Sequence, residues 1–81
     1  MTIEEAFGLA LRKLRQEKGL SQEALAASSG FHRTYISLLE RGIKSPSLTT
    51  LDRLSQALGI SLGQFVNSIE TMTTNNKRKA Q

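Results

Sequence analysis

Apolar residues recur at helical spacing along this chain, and no segment shows the strict alternation of apolar and polar residues that is typical of a strand. The first amphipathic stretch runs from about Glu4 to Lys18, and Gly19 is placed to end it. Acidic residues lie near its start and basic residues near its end, which suits the helix dipole. We therefore predict a first helix whose apolar face is formed by Phe7, Ala10, Leu11 and Leu14.

Two shorter helical patterns follow and meet at a corner of small residues. Ser21 is a good N-cap for a second helix that runs to about Ser28. A third helix is predicted from about His32 to Arg41. Gly30 lies between them and allows the positive φ that a tight corner requires. The residues expected to face the junction are Leu25, Ala26, Ile36 and Leu39.

A fourth helix is predicted from Leu48 to Leu58. Ser47 is placed to cap its start, directly after the single proline of the chain, and Gly59 follows its last residue. Helical spacing relates four leucines of this segment, so they are expected to share one buried face. The predicted inward residues are Leu48, Leu51, Leu54 and Leu58.

A fifth helix is predicted to begin after Ser61, which is another good N-cap. Its apolar residues at helical spacing are Leu62, Phe65, Val66 and Ile69. From Thr71 onward the sequence is polar and unpatterned, so residues 71–81 are expected to form a disordered basic tail. The chain is thus predicted to form one all-α domain of five helices over residues 1–70.

The composition points away from metal, disulfide and membrane chemistry. The 81 residues include no cysteine and one histidine, which excludes disulfides and leaves no cluster of zinc ligands. No apolar run approaches the roughly 20 residues that cross a bilayer, and the N-terminus lacks the basic start of a secretion signal. Acidic residues are spread along helix exteriors without a nucleophile and base beside them. We expect a cytoplasmic protein that is not an enzyme and that uses no cofactor and no membrane.

The positive net charge is concentrated at the end of the chain. The formal charge of +4 comes from 11 basic and seven acidic residues. Three of the basic residues, Lys77, Arg78 and Lys79, lie in the tail, so residues 1–70 carry eight basic and seven acidic residues. Bulk basicity is therefore weak evidence for a nucleic-acid partner. A local patch of Arg33, Arg41 and Lys44 has to supply any electrostatic attraction.

The order of small, polar and apolar residues around Gly30 resembles the helix-turn-helix of the Cro/C1 repressor-like family, also called the XRE family. A lone helix-turn-helix pattern has many false positives, but one flanked by its supporting helices has few. The resemblance covers roughly residues 7–66. The matching positions are Leu11, Arg12, Arg15, Gly19, Ser21, Gln22, Leu25, Ala26, Gly30, Ile36, Ser37, Glu40, Arg41, Gly42, Pro46, Leu51, Leu54, Ala57, Leu58 and Gly59.

The resemblance implies a five-helix lambda-repressor-like domain whose third helix enters the major groove of double-stranded DNA. If Ile36 points inward, Thr34 and Leu38 point most directly away from the core. Arg33 can donate two hydrogen bonds to guanine O6 and N7. Leu38 either packs on a thymine methyl group or is a scattered apolar surface residue. The candidate base contacts are Arg33, Thr34, Ser37 and Leu38.

Candidate phosphate contacts lie on both sides of this reading helix. The resemblance implies that the Gln22 side chain and the free backbone donors beside it clamp one phosphate. Arg41 and Lys44 are placed to reach the opposite strand. His32 is expected either to cap the third helix or to donate to a phosphate. Tyr35 either packs against the second helix or reaches a phosphate through its hydroxyl group.

Two further expectations concern how the domain is held together and assembled. Arg15 and Glu40 match a family pair that bridges the first and third helices, and the alternative is two separate solvated charges. One reading helix covers only a few base pairs, so we expect a homodimer with two reading helices about 34 Å apart on an inverted repeat. The candidate dimer interface is Leu62, Val66 and Ile69, unless all of these residues belong to the core.

The sequence therefore predicts a repressor-type, nucleoid-associated transcriptional regulator that binds palindromic DNA. The segment from Arg33 to Ser37 also resembles the recognition helix of restriction-modification controller proteins, a compact branch of the family. RNA polymerase is a further candidate partner. The alternative is a protein-binding module, such as an antitoxin or an anti-regulator, that uses the same fold. Salt dependence separates the two functions, because DNA binding releases counterions and an apolar protein interface does not.

Overall fold

The structure, a computed structural model, describes the backbone of residues 1–80 and the side chains of residues 1–74. The described backbone contains helices and no strand, and the predicted all-α class is confirmed. Every helix begins within one residue of its predicted start. The helices are α1 (Ile3–Glu17), α2 (Gln22–Ser29), α3 (Arg33–Glu40), α4 (Leu48–Leu58) and α5 (Leu62–Ala80).

Side-chain caps set the starts of α1, α2, α4 and α5. The hydroxyl groups of Ser21, Ser47 and Ser61 each accept a hydrogen bond from the backbone N–H three residues later, at 3.0 Å. Thr2 and Glu5 cap α1 reciprocally. The bonds from Thr2 to the ionised carboxylate hold the pKa of Glu5 below its ordinary value. The helix boundaries are therefore properties of the local sequence.

The core lies where α1 packs against α3 and α5, and where α2 packs against α3 and α4. The rings of Phe7 and Phe65 stack with their centroids 5.5 Å apart. Leu25, Ile36 and Leu39 are fully buried at the junction of α2 and α3, as the helical spacing predicts. The apolar face predicted for α1 is also present, with Leu14 at its partly buried edge.

Gly8 lets the end of α3 approach the backbone of α1. A Cβ atom at this position would lie only 2.6 Å from the carbonyl oxygen of Leu39 and would also meet the carbonyl of Glu40. Glycine in a helix interior is unfavourable by roughly 0.5–1 kcal/mol relative to alanine. Close packing of α3 against α1 accounts for its presence here.

Two expectations from the sequence are wrong. Leu48 is 73% exposed, because it lies in the first turn of α4, where the chain enters from a surface loop and the core does not reach. The backbone of residues 71–80 is helical rather than disordered. The sequence contains no glycine or proline after Gly63 that would end α5, and the hydroxyl group of Thr71 donates to the carbonyl of Asn67 at 2.9 Å.

The three predicted basic charges of the tail, Lys77, Arg78 and Lys79, lie outside the described side chains. Gln81 lies outside the described residues altogether. Among the helices of the described backbone, none has the length and the apolar character needed to span a membrane.

Gly8→Ala should destabilise the domain, because overpacking against backbone atoms outweighs the helix-propensity gain. We expect a loss of about 1–3 kcal/mol in the free energy of unfolding, measured by urea denaturation. Gly63→Ala is the matched control, since the Cβ atom there meets nothing closer than Ser61 at 3.9 Å. Because Gly63 lies in the first turn of α5, this variant should leave the stability unchanged or raise it by less than about 1 kcal/mol. A gain for both variants would contradict the close approach of α3.

Candidate nucleic-acid interface

One carboxylate joins the first three helices. Arg15 of α1 donates from Nε to Glu40 Oε2 at 2.6 Å and from Nη2 to Glu40 Oε1 at 3.0 Å. Its third nitrogen, Nη1, donates to the carbonyl of Leu20 at 2.8 Å. Gln22 of α2 donates from Nε2 to Glu40 Oε1 at 3.1 Å. The last residue of α3 is thus held by both helices that precede it.

This ion pair is largely removed from solvent. The side chains of Arg15 and Glu40 are 11% and 4% exposed. The hydrogen bond from Arg15 to the carboxylate raises the pKa of the guanidinium above its already high ordinary value. The two residues are therefore not independent solvated charges, and the pair can fix the direction in which α3 leaves the core.

The opposite end of α3 is held from α4. Gly30 ends α2 with a φ of 79°, and Arg53 donates from Nη2 to the carbonyl of Ser29 at 2.8 Å. The same guanidinium lies over the ring of Phe31, 4.2 Å from its centroid, which is cation–π geometry. The ring of Phe31 is in turn 5.2 Å from that of Tyr35 on α3. The corner is therefore a packed joint.

The exposed side of α3 carries a row of polar groups. Arg33 and Thr34 are exposed in its first turn, and Arg41 and Lys44 are exposed beyond its end. Ser37 is partly buried between them. Arg33 also pairs with Glu23 of α2, and the other side chains of the row present hydrogen-bond donors to solvent. The arrangement suits a nucleic-acid groove.

Leu38 is partly buried, so the prediction of a fully outward leucine is wrong. Ile36 is not the single inward residue of α3, because Leu39 is equally buried. The buried face of α3 is therefore centred between Ile36 and Leu39, which turns Leu38 toward the flank and leaves Thr34 opposite the core. A contact between Leu38 and a thymine methyl group stays a prediction.

Two of the candidate phosphate contacts interact within the domain, and a third lacks the capping hydrogen bond that was one of its two expected roles. The Gln22 amide is engaged with Glu40. The hydroxyl group of Tyr35 lies 3.4 Å from Thr50 Oγ1 of α4, and its ring lies beside that of Phe31 at the corner. His32 is the N-cap residue of α3, but its side chain makes no capping hydrogen bond.

The candidate dimer residues divide between surface and core. Val66 is 41% exposed, whereas Ile69 is only 8% exposed and belongs to the core of the domain. Leu62 is partly buried. The assignment of Ile69 to a dimer surface is therefore wrong, because its side chain already packs inside one copy.

Among residues with described side chains, no group of three or more potential ligands is placed to hold a metal ion.

Comparison with known proteins identifies the fold and its class of function. The sequence model of a family described as helix-turn-helix matches residues 11–65, more than half of the chain. The chain belongs to the XRE-type helix-turn-helix family. This membership confirms the resemblance read from the sequence. The family consists of DNA-binding transcriptional regulators, and the protein is such a regulator rather than an enzyme.

Relatives within this family include both general regulators and controller proteins. The uncharacterized HTH-type transcriptional regulator y4dJ of Sinorhizobium fredii is 48% identical over 66 residues, covering 82% of this chain and 86% of that protein. The control protein C.MunI of a Mycoplasma species is 45% identical over 69 residues, covering 84% and 93% of the two chains.

A solved structure shows a relative of this fold on DNA. It is the restriction-modification controller protein C.Esp1396I, a tetramer in complex with its natural 35 base-pair operator. The two folds superpose with a TM-score of 0.82 at 29% sequence identity, over 89% of this chain and 95% of that chain.

Three residues that shape the site were not singled out from the sequence, one each on α1, α2 and α4. Gly8 gives α3 its close approach, and an isolated glycine inside a helical pattern is a recognisable signal. Arg53 holds the corner, but nothing in the sequence separates it from other exposed arginines. Glu23 lies beside Arg33, with Oε1 and Nε 3.5 Å apart, and only the packing of α2 against α3 brings them together.

Glu40→Leu should destabilise the protein by about 3 kcal/mol, because the Arg15 charge would stay buried without its partner. Arg15→Met combined with Glu40→Leu should lose less than the sum of the two single variants, since the double variant leaves no unpaired charge. Thermal and urea unfolding of the four proteins completes the cycle. Strictly additive losses would show that the two groups do not interact in solution.

Proposed function

We propose that this regulator binds an operator of inverted-repeat symmetry as a homodimer, with α3 of each copy in the major groove of one half-site. The observation that carries the proposal is the exposed first turn of α3, with Thr34 opposite the buried face and Arg33 exposed on its flank. The helix that carries this turn is held at its C-terminal end by the ion pair of Glu40 and at its N-terminal end by the packing of Phe31. A rigid reading helix keeps its base-contacting groups in register with base edges.

The side chains divide by chemistry into base and phosphate contacts. Arg33 would donate to guanine O6 and N7, and Thr34 would offer a hydroxyl group and a methyl group to neighbouring bases. Arg41 and Lys44 are exposed beyond the end of α3 and would bind phosphates, which sets affinity and register. His32, whose side chain makes no cap, would donate to a phosphate at the other end.

The first turn of α2 would meet the same backbone. The N–H groups of an initial helical turn have no partner within the helix, so those of Gln22 and Glu23 are free to bind a phosphate. The Gln22 amide would join them only by leaving Glu40 or by sharing its second proton. RNA polymerase as a partner stays a prediction.

Dimerisation is expected on the face that contains Val66. A shallow groove of about 280 Å³ lies beside this residue and is lined mainly by apolar side chains. Ile3 forms part of the same groove and is 59% exposed. A symmetric contact between two copies would cover both side chains. The tetramer of C.Esp1396I on its operator supports assembly of the present chain on DNA.

Arg33→Ala should remove most of the discrimination between operator and random duplex. An operator is first selected from a random duplex pool, and dissociation constants are then measured by fluorescence anisotropy. Losing a bidentate guanine contact should weaken operator binding by about 5- to 150-fold, corresponding to about 1–3 kcal/mol, with little effect on random DNA. Lys44→Ala is the matched control and should weaken both complexes about equally.

Equal losses of discrimination for the two variants would contradict the base-reading role of Arg33. The salt dependence of wild-type binding is a second readout. DNA affinity should fall steeply between about 50 and 200 mM salt through counterion release. A protein that selects no duplex at all from the pool, and instead binds a partner protein without salt dependence, would favour the alternative protein-binding module.

Val66→Glu should shift the protein from dimer to monomer, because it places a charge in an apolar contact. Sedimentation equilibrium at micromolar concentration measures the change. Asn67→Glu introduces the same charge on the exposed side of α5 and should leave the dimer intact. A wild-type protein that stays monomeric on palindromic DNA would overturn the two-fold arrangement.

A further inference from the structure

Glu23 is an acidic residue on the side of the domain that the proposed function turns toward DNA. It is the second residue of α2, and its Oε1 atom lies 3.5 Å from Nε of Arg33. Both side chains are mostly exposed, at 71% and 60%. An exposed pair of this kind contributes between about 0 and 1 kcal/mol to stability. The pair therefore contributes little to folding.

Glu23 contacts the part of the Arg33 guanidinium that lies nearest the side-chain stem. Glu23 contacts Nε, whereas the end-on approach of arginine to guanine uses the two terminal nitrogens, Nη1 and Nη2. The carboxylate can therefore stay in place while the terminal nitrogens donate to O6 and N7. Glu23 restricts the directions that a long, flexible side chain samples, and so reduces the entropy lost when the guanine contact forms.

The same carboxylate opposes unspecific attraction. DNA without the right sequence is bound through phosphates, by charge alone. Arg33 paired with Glu23 is close to neutral as a unit, so it attracts a phosphate less strongly than an unpaired arginine does. A contact between Arg33 and a phosphate then contributes little binding free energy. The full contribution of Arg33 to binding appears only where guanine acceptors are present.

We propose that Glu23 is a specificity-determining residue: it directs Arg33 toward guanine and lowers affinity for DNA of the wrong sequence. This inference rests on the proposed function, in which Arg33 reads a base. Specificity is a difference between two affinities, and a repulsive group that acts mainly on the wrong complex increases it.

The test compares Glu23→Gln with wild type on the selected operator and on random duplex. Removing the carboxylate frees Arg33 for phosphates, so affinity for random duplex should rise by about 3- to 10-fold. The slope of the logarithm of the binding constant against the logarithm of the salt concentration should become steeper by about one. Operator affinity should change by less than about twofold, because the gain in charge offsets the lost orientation of Arg33. The ratio of the two affinities should fall.

Asp52→Asn is the matched control, because it removes the same charge from an exposed position on α4. It should change both affinities by the same factor and leave the ratio as in wild type. In an Arg33→Ala background, Glu23→Gln should also leave the ratio unchanged, since Glu23 acts through Arg33. Thermal unfolding should give nearly the same Tm for wild type and Glu23→Gln.

An unchanged affinity ratio in Glu23→Gln, or a change that persists without Arg33, would overturn the role of Glu23. Either result is distinct from failure of the proposed function, which would appear as wild-type protein without any preferred duplex.

Discussion

The orientation of α3 depends on one buried ion pair. Arg15 of α1 grips the carboxylate of Glu40 through two nitrogens and the carbonyl of Leu20 through the third. Removing two charges from water is unfavourable unless their hydrogen bonds are satisfied. Here Gln22 supplies a further donor to the same carboxylate. The network has few arrangements that meet these demands, so the C-terminal end of α3 has little freedom.

The N-terminal end of α3 is held by a cation–π contact and by aromatic packing rather than by an ion pair. Arg53 combines a hydrogen bond to the carbonyl that ends α2 with a cation–π contact on Phe31. Aromatic contact carries this constraint to Tyr35, whose hydroxyl group lies near Thr50 on α4. Charge and hydrogen bonding hold one end, and aromatic packing holds the other. Gly8 completes the fit, because any side chain there would separate α3 from α1.

A small domain with little net charge over residues 1–70 can still present a DNA-binding surface, because position matters more than total charge. Arg33 and Thr34 lie on a supported helix, and Arg41 and Lys44 lie beyond its end. Glu23 belongs to the same surface and carries the opposite sign. An acidic group among basic ones reduces unspecific attraction to DNA, which favours discrimination over tight unspecific binding.

The helices, their caps and most of the buried faces follow from the sequence, because capping and helical periodicity involve residues within one or two turns of each other. The family resemblance also identified the Arg15 and Glu40 positions. Other features depend on distant parts of the chain. The partial burial of Leu38, the internal bond of Gln22 and the burial of Ile69 arise where helices meet. The contacts of Arg53 and Glu23 likewise join residues that only the tertiary fold brings together. Periodicity measured within one helix cannot show which neighbour will cover a flank, so the tertiary structure alone decided these contacts.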